Sequence, residues 1–158
     1  RPVARRLGAG VHLRDGSRPR RTATGGVDPG QSYVESATRS LIDRQNDDGG
    51  WGESTRYEPS RSSLGNVEYQ SADSTPTQTG WALQALLYGG VSPDHSAIRD
   101  AVEYLIGTQR SNGSWDADRV MYNFGGPGYS TDATTQAAAL TALGLYASAS
   151  SRGDTIAE

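Results

Sequence analysis

Residues 45–51 read Gln45-Asn46-Asp47-Asp48-Gly49-Gly50-Trp51, and the same Gln, Gly and Trp offsets return 64 residues later in Gln109-Arg110-Ser111-Asn112-Gly113-Ser114-Trp115. Each copy closes a segment of helical apolar spacing and then turns sharply. Glycine permits such a turn with positive φ. The Gln amide can serve the unpaired carbonyls of the helix end or the N–H groups of an adjacent helix start. The Trp ring covers the helix end while its indole N–H seeks an acceptor. The expectation is a stapled helix terminus used twice, in which Gln45, Gly49, Trp51, Gln109, Gly113 and Trp115 hold the fold and touch no substrate.

Working outward, the segment before the first turn places Tyr33, Val34, Ala37, Leu41 and Ile42 on one helical face, with Glu35, Arg39, Asp43 and Arg44 elsewhere. This predicts an amphipathic helix of about three to four turns ending at Gln45. Residues 52–74 are polar, and a loop of that length is usually functional or a rim structure. Thr75 then stands as N-cap with Pro76 at the first helical position. The following helix, Trp81 to Tyr88, is apolar nearly all round and stops at Gly89-Gly90. Ser92-Pro93-Asp94 is expected to open the next helix, with Ile98, Ala101, Val102 and Leu105 as its stripe and its end at Gln109. After a second loop, residues 116–130, a last helix is expected from about Thr131 to Ser148, with an apolar core over residues 137–143 and a polar tail at residues 151–158.

The chain therefore holds two copies of one unit: amphipathic helix, Gln-to-Trp turn, long loop, apolar helix. The inner helices share Ala82-Leu83-Gln84-Ala85-Leu86 and Ala139-Leu140-Thr141-Ala142-Leu143. Alternating half-polar and nearly all-apolar helices suit two concentric layers. The predicted fold is all-α, a partial α/α toroid of the α6–α6 barrel type with amphipathic outer and apolar inner helices. Two units cannot close such a ring, because each exposes sides that expect neighbours.

Composition narrows the chemistry. There is no cysteine, which excludes disulfides, thiolate nucleophiles and Cys-containing zinc sites. No run of apolar residues is long enough to span a membrane and no leader pattern is present, so a cytoplasmic protein is the default. The chain starts with Arg1 and its single Met is Met121, which leads to the expectation of a piece of a larger protein. All basic residues are Arg, and seven of the fifteen fall within residues 1–26 against Asp15 alone. Such an arm can be a disordered tail or can bind nucleic acid or an anionic surface. With no aromatic residue and no Ile in residues 1–32, the tail is favoured, and no nucleic-acid partner is expected. Residues 1–30 are accordingly read as a disordered or aberrant segment, with the repeat domain at residues 31–150.

The spacing Gln, any three, Gly, any one, Trp resembles the QW repeat of the squalene-hopene cyclase and oxidosqualene cyclase family. The flanks add to it: Asp48-Gly49-Gly50-Trp51-Gly52-Glu53, Ser74-Thr75-Pro76-Thr77-Gln78-Thr79-Gly80-Trp81-Ala82-Leu83 and Ala101-Val102-Glu103-Tyr104-Leu105 are similar to the C-terminal part of bacterial squalene-hopene cyclases. The resemblance covers about residues 27–116. It implies class II cyclisation of a polyprene such as squalene, an isomerase reaction of terpenoid biosynthesis. An alkene is protonated, and the cations that follow are held by aromatic π faces. It implies no cofactor and no metal, and peripheral contact with a membrane.

Three departures qualify what is implied. The family's acid motif, Asp-any-Asp-Asp, is absent: Asp47-Asp48 and Asp116-Ala117-Asp118 do not match it. No catalytic residue is therefore assigned, and the chain alone is expected to be inactive unless an N-terminal cyclase portion completes it. After Trp115 the aromatic-rich wall of the family is replaced by residues 121–129, where Tyr122, Phe124 and Tyr129 are the candidate substrate-pocket residues, with simple loop packing as the alternative. Residues 1–26 lack the Gly-and-Trp turn and apolar helix of the family and are read as a frame-shifted version of it.

Other classes stay in view. One is a non-catalytic helical repeat module that binds a protein or lipid. A protein prenyltransferase β subunit is disfavoured by the missing Cys. A glycosidase would need two carboxylates across a cleft, for which Glu53 and Asp116, each just past a turn Trp, are the pair to nominate, although solvated loop acids are the commoner case. His12 and His95 are isolated, and nothing marks either as a ligand.

Overall fold

Four helices carry the structure, a computed structural model that describes residues 28–53, 71–117 and 132–154: α1 (Ser32–Ile42), α2 (Pro76–Tyr88), α3 (Ser96–Gly107) and α4 (Asp132–Asp154). Among the described residues there is no strand, only an isolated antiparallel bridge between Glu53 and Ser71. Most of the arginine-rich segment, at residues 1–27, lies outside the described residues, as do Tyr122, Phe124 and Tyr129.

The helix limits follow from local chemistry. Residues 28–30 form a turn, with the Asp28 carboxylate accepting from Gly30 N–H at 2.9 Å, and α1 starts directly after it. α1 stops at Ile42 instead of reaching Gln45, because the last turn tightens: Arg44 N–H donates to Leu41 O at 3.2 Å and Gln45 N–H to Ile42 O at 3.0 Å, both three residues back. α2 has Thr75 as its N-cap, accepting from Gln78 N–H at 3.2 Å, and Pro76 at its first position. It ends in a Schellman motif. Gly90, at φ 83°, donates to Leu87 O, Val91 N–H donates to Leu86 O, and Val91 packs against the core.

α3 begins a turn later than its sequence suggests. Ser92 and Pro93 open a β-turn closed by His95 N–H on Ser92 O at 3.0 Å, and His95 caps the helix through Nδ1, which accepts from Ala97 N–H at 3.2 Å. α4 runs past Ser148 and takes in the first residues of the expected polar tail. The serines are accommodated because Ser148 and Ser151 donate back to the carbonyls of Gly144 and Ala147, each at 2.9 Å.

The core lies where α2 meets α3 and α4. Leu83, Leu86, Ile98, Ala101, Leu105, Ala139 and Ala142 are fully buried in it, joined by Trp51 and Trp115 from the two turns. α2 and α4 pack closest, through small residues: a Cβ on Gly80 would lie 2.6 Å from the Ala138 carbonyl carbon. Polar groups fix their register. The Thr77 and Thr135 hydroxyls are 2.9 Å apart and buried, and Gln84 Nε2 donates to Ala138 O at 3.0 Å. α1 sits at the margin with no buried residue, although its apolar face is like that of α3.

Candidate functional site

The two Gln-to-Trp turns share one backbone hydrogen-bond pattern. In the first, Asn46 N–H donates to Gly50 O at 2.9 Å and Gly49 N–H to Asn46 O at 2.9 Å; in the second, Arg110 N–H donates to Ser114 O and Gly113 N–H to Arg110 O, each at 2.8 Å. Gly49 and Gly113 both adopt φ 84°. Asp48 and Asn112 each accept from the N–H two residues on, at 3.0 Å. The indole N–H of Trp51 reaches Leu41 O at 2.8 Å, and that of Trp115 reaches Leu105 O at 2.7 Å, each a carbonyl in the last turn of the preceding helix. Gln45 Nε2 donates to Gly49 O at 2.7 Å and also to Ala97 O, 2.9 Å away in the next outer helix. Gln109 Nε2 donates to Gly113 O at 2.8 Å.

Further residues, unmarked in the sequence reading, tie each turn to its inner helix. Thr79 accepts the Trp51 N–H at 2.9 Å, and Gln136 accepts the Trp115 N–H at 3.0 Å while donating to the Trp115 carbonyl at 2.8 Å. Thr79 and Gln136 are 57 residues apart, the separation of the shared Ala-Leu patterns of α2 and α4, which is the signal that could have found them. Gln78 clamps the backbone of Glu53 in a similar way. Tyr104 donates its hydroxyl to Ser74 O at 2.7 Å, and Asn46 Nδ2 donates to Ala72 O at 3.0 Å, so the strip before α2 is held from both sides.

α2, read as apolar nearly all round and hence internal, keeps one face open. Trp81, Ala85 and Tyr88 lie at successive helical turns and are exposed, Trp81 by 45% and Tyr88 by 46%, while Ala82, Leu83 and Leu86 beside them are buried. Two aromatic side chains thus line one side of an inner helix. A large apolar surface left in the open marks a binding face more often than a lone exposed residue does.

The carboxylates named from sequence show no comparable setting. Glu53 and Asp116 are both exposed, and the Asp116 carboxylate pairs with Arg110. Among the described residues no three His, Cys, Asp or Glu side chains gather where a metal ion could be held. No helix there is long and apolar enough to cross a membrane.

Paired outer and inner helices, each pair closed by the same Gln–Trp staple, define an α/α repeat domain, here an arc of a toroid. The chain belongs to the family of the squalene-hopene cyclase C-terminal domain, whose model matches residues 21–148. The match starts within the arginine-rich segment and ends inside α4, well past the stretch where motifs carry the resemblance. The chain is 41% identical over 95 residues to a squalene–hopene cyclase of Bradyrhizobium diazoefficiens, covering 60% of this chain and 14% of that protein. It is 54% identical over 43 residues to the squalene–hopene cyclase of Alicyclobacillus acidocaldarius, covering 27% and 7% of the two chains. It is 41% identical over 73 residues to the dammaradiene synthase of Dryopteris crassirhizoma, covering 43% and 10%. The chain thus spans 14% or less of the length of these relatives.

Proposed function

We propose that this domain forms part of the wall of a terpene cyclase of the squalene-hopene type, where it shelters a polyprene such as squalene during cyclisation. The observation that carries this reading is the open aromatic face of α2. Trp81 and Tyr88 are exposed on an inner helix of a family whose named relatives include squalene–hopene cyclases. A π face stabilises a passing carbocation electrostatically, by about 2 kcal/mol or more once water is excluded. Tyr122, Phe124 and Tyr129 extend the same wall in this proposal. Gln45, Gly49, Trp51, Gln109, Gly113 and Trp115 serve the architecture alone, since the two Gln amides bond the turn carbonyls of Gly49 and Gly113 and the buried indoles bond carbonyls at the helix ends. The protonating acid comes from outside this stretch, because the Asp-any-Asp-Asp motif is absent from its sequence. A substrate this insoluble favours peripheral contact with a lipid surface.

The test is reconstitution. The chain is incubated with squalene alone and together with a separately expressed N-terminal cyclase portion that carries the acid motif, and the cyclic products are quantified. Product is expected from the pair and not from the chain alone; product from the chain alone would overturn the assignment of the acid to the missing portion. Trp81→Ala is expected to lower product from the pair by about tenfold, the rate equivalent of about 1.4 kcal/mol, while leaving the unfolding midpoint nearly unchanged. Undiminished product from that variant would remove α2 from the pocket wall.

A further inference from the structure

The turn that begins at Gln109 carries Asn112-Gly113-Ser114 where its counterpart at Gln45 carries Asp48-Gly49-Gly50. Asparagine ahead of glycine is the dipeptide most open to attack by the backbone on a side chain. The nitrogen of the following residue closes on the carbonyl carbon of the Asn amide, and glycine brings no Cβ against that approach. Gly113 meets this condition with space to spare, since a Cβ placed on it would have nothing within 4 Å.

Asn112 is exposed, yet its amide is held in one orientation. Oδ1 accepts from the Ser114 N–H at 3.0 Å and from the Ser114 hydroxyl at 2.7 Å. Of the two ends of the amide only the oxygen can accept from a backbone N–H. The bond two residues on folds the side chain back along the turn, so that Cγ and the Gly113 nitrogen belong to one small hydrogen-bonded ring. The two Ser114 donors draw charge from Cγ and stand where negative charge develops on Oδ1 when the nitrogen adds. The opposing contact is the Gly113 N–H on Arg110 O at 2.8 Å, which opens before the nitrogen attacks. Exposure of this position does not depend on what lies over the turn. Asp48 is exposed at the same place, although the Asp100 carbonyl of α3 closes on Gly49 beside it. Asn46 is the contrast: its Nδ2 donates to Ala72 O at 3.0 Å and to Ser74 Oγ at 2.9 Å, and Asp47 follows it instead of glycine.

We propose that Asn112 is a site of spontaneous deamidation assisted by Ser114. The Gly113 nitrogen gives up its proton to solvent base and bonds to Cγ. The Cγ–Nδ2 bond then breaks, ammonia leaves with a proton from solvent, and a succinimide remains. Water opens that ring in one of two ways. Breaking the new Gly113 N–Cγ bond gives aspartate, and breaking the original backbone C–N bond gives isoaspartate, whose main chain runs through Cβ and Cγ. The aspartate is what the first turn already carries, where Asp48 Oδ1 accepts from the Gly50 N–H at 3.0 Å, so this product keeps the turn. Isoaspartate lengthens the main chain between Arg110 and Ser114. Those residues close the turn through Arg110 N–H on Ser114 O at 2.8 Å, so this product loosens the staple that seats Trp115. The modification is independent of the cyclase reading.

The full native chain and its Ser114→Ala variant are held in mildly alkaline buffer, folded and in urea, and digested with trypsin at intervals. Residues 111–119 form one tryptic peptide in which Asn112 is the only Asn. Mass spectrometry of that peptide reads the conversion of amide to acid, and labelling by an isoaspartyl methyltransferase reads the isoaspartate. In the folded native chain Asn112 is expected to be lost while Asn46 persists. In folded Ser114→Ala the loss is expected to be severalfold slower, and in urea, where the turn is undone, the two chains are expected to react alike. Asn112→Asp is expected to keep the native helicity and unfolding midpoint, as the product that matches the first turn. An Asn112 that lasts as long as Asn46 in the folded native chain overturns the proposal. Equal loss from the two folded chains, or a difference that persists in urea, overturns the part given to Ser114. A lowered midpoint for Asn112→Asp overturns the equivalence of the two turns.

Discussion

At Gly49 and Gly113 the same backbone conformation is held in two different surroundings, which separates strain from packing. An L residue at φ 84° is strained by roughly 1–2 kcal/mol at either site. At Gly49 the new Cβ would also lie 2.6 Å from the Asp100 carbonyl oxygen, which sits in the backbone of a packed helix, whereas at Gly113 it meets open space. Gly49→Ala is therefore expected to destabilise the fold by about 1–3 kcal/mol more than Gly113→Ala, as read from urea unfolding midpoints. Equal losses would mean that α3 yields over the first turn. The indoles give a second prediction at this scale. Trp115→Phe keeps a ring over the helix end but leaves the Leu105 carbonyl with the longer 3.3 Å bond from the Thr108 hydroxyl in place of the indole donor, at a cost of about 0.5–1.5 kcal/mol. A variant within a few tenths of the parent in urea unfolding would show that the ring alone makes the staple.

Helix against helix, small residues decide the spacing. Gly80 lowers the intrinsic stability of α2 by about 1 kcal/mol relative to alanine, yet its missing side chain lets α2 approach Ala138 and Ala139 of α4. The obstructing atoms belong to the α4 backbone and cannot rotate away, so overlap outweighs the gain in helix propensity. Gly80→Ala is expected to lower stability by about 1–3 kcal/mol; a rise in melting temperature would show that the two helices separate freely. α1 stands at the other extreme. With no fully buried residue and its core contacts confined to its last turn, at Leu41 and Ile42, its first turns open with little exposure of core. In dilute solution its amides are expected to exchange with deuterium well before those of α2 and α3, and equal protection would contradict its marginal place in the packing.

At the scale of the whole molecule, the described residues form two units of an arc, with ends unlike its middle. The central contacts, α3 and α4 on α2, carry the core, while Leu140, Tyr33, Trp81 and Tyr88 are left exposed. Much of this was legible in the amino-acid order. The paired Gln-to-Trp turns, the alternation of amphipathic and apolar helices, the Thr75–Pro76 start and the Gly89-Gly90 stop all depend on residues within a turn or two of one another, and local backbone chemistry enforces them. The family could be read from the same motifs. Four boundaries were misplaced where a local alternative won: the tightened end of α1, the like tightening that stops α3 at Gly107 short of Gln109, the β-turn that hands the cap of α3 to His95, and the serine back-bonds that prolong α4. The candidate pocket residues Tyr122, Phe124 and Tyr129 lie outside the described residues, so the aromatic face now rests on Trp81 and Tyr88.

Sequence by itself thus determined the repeat, its turns and its helical class, because each is written in short-range spacing that sterics and hydrogen bonding convert directly into backbone shape. Only the tertiary structure decided which faces of those helices are covered. Leu83 and Leu140 occupy equivalent places in near-identical patterns, yet one is completely buried and the other 66% exposed. Burial depends on what packs alongside, and no local pattern carries that information.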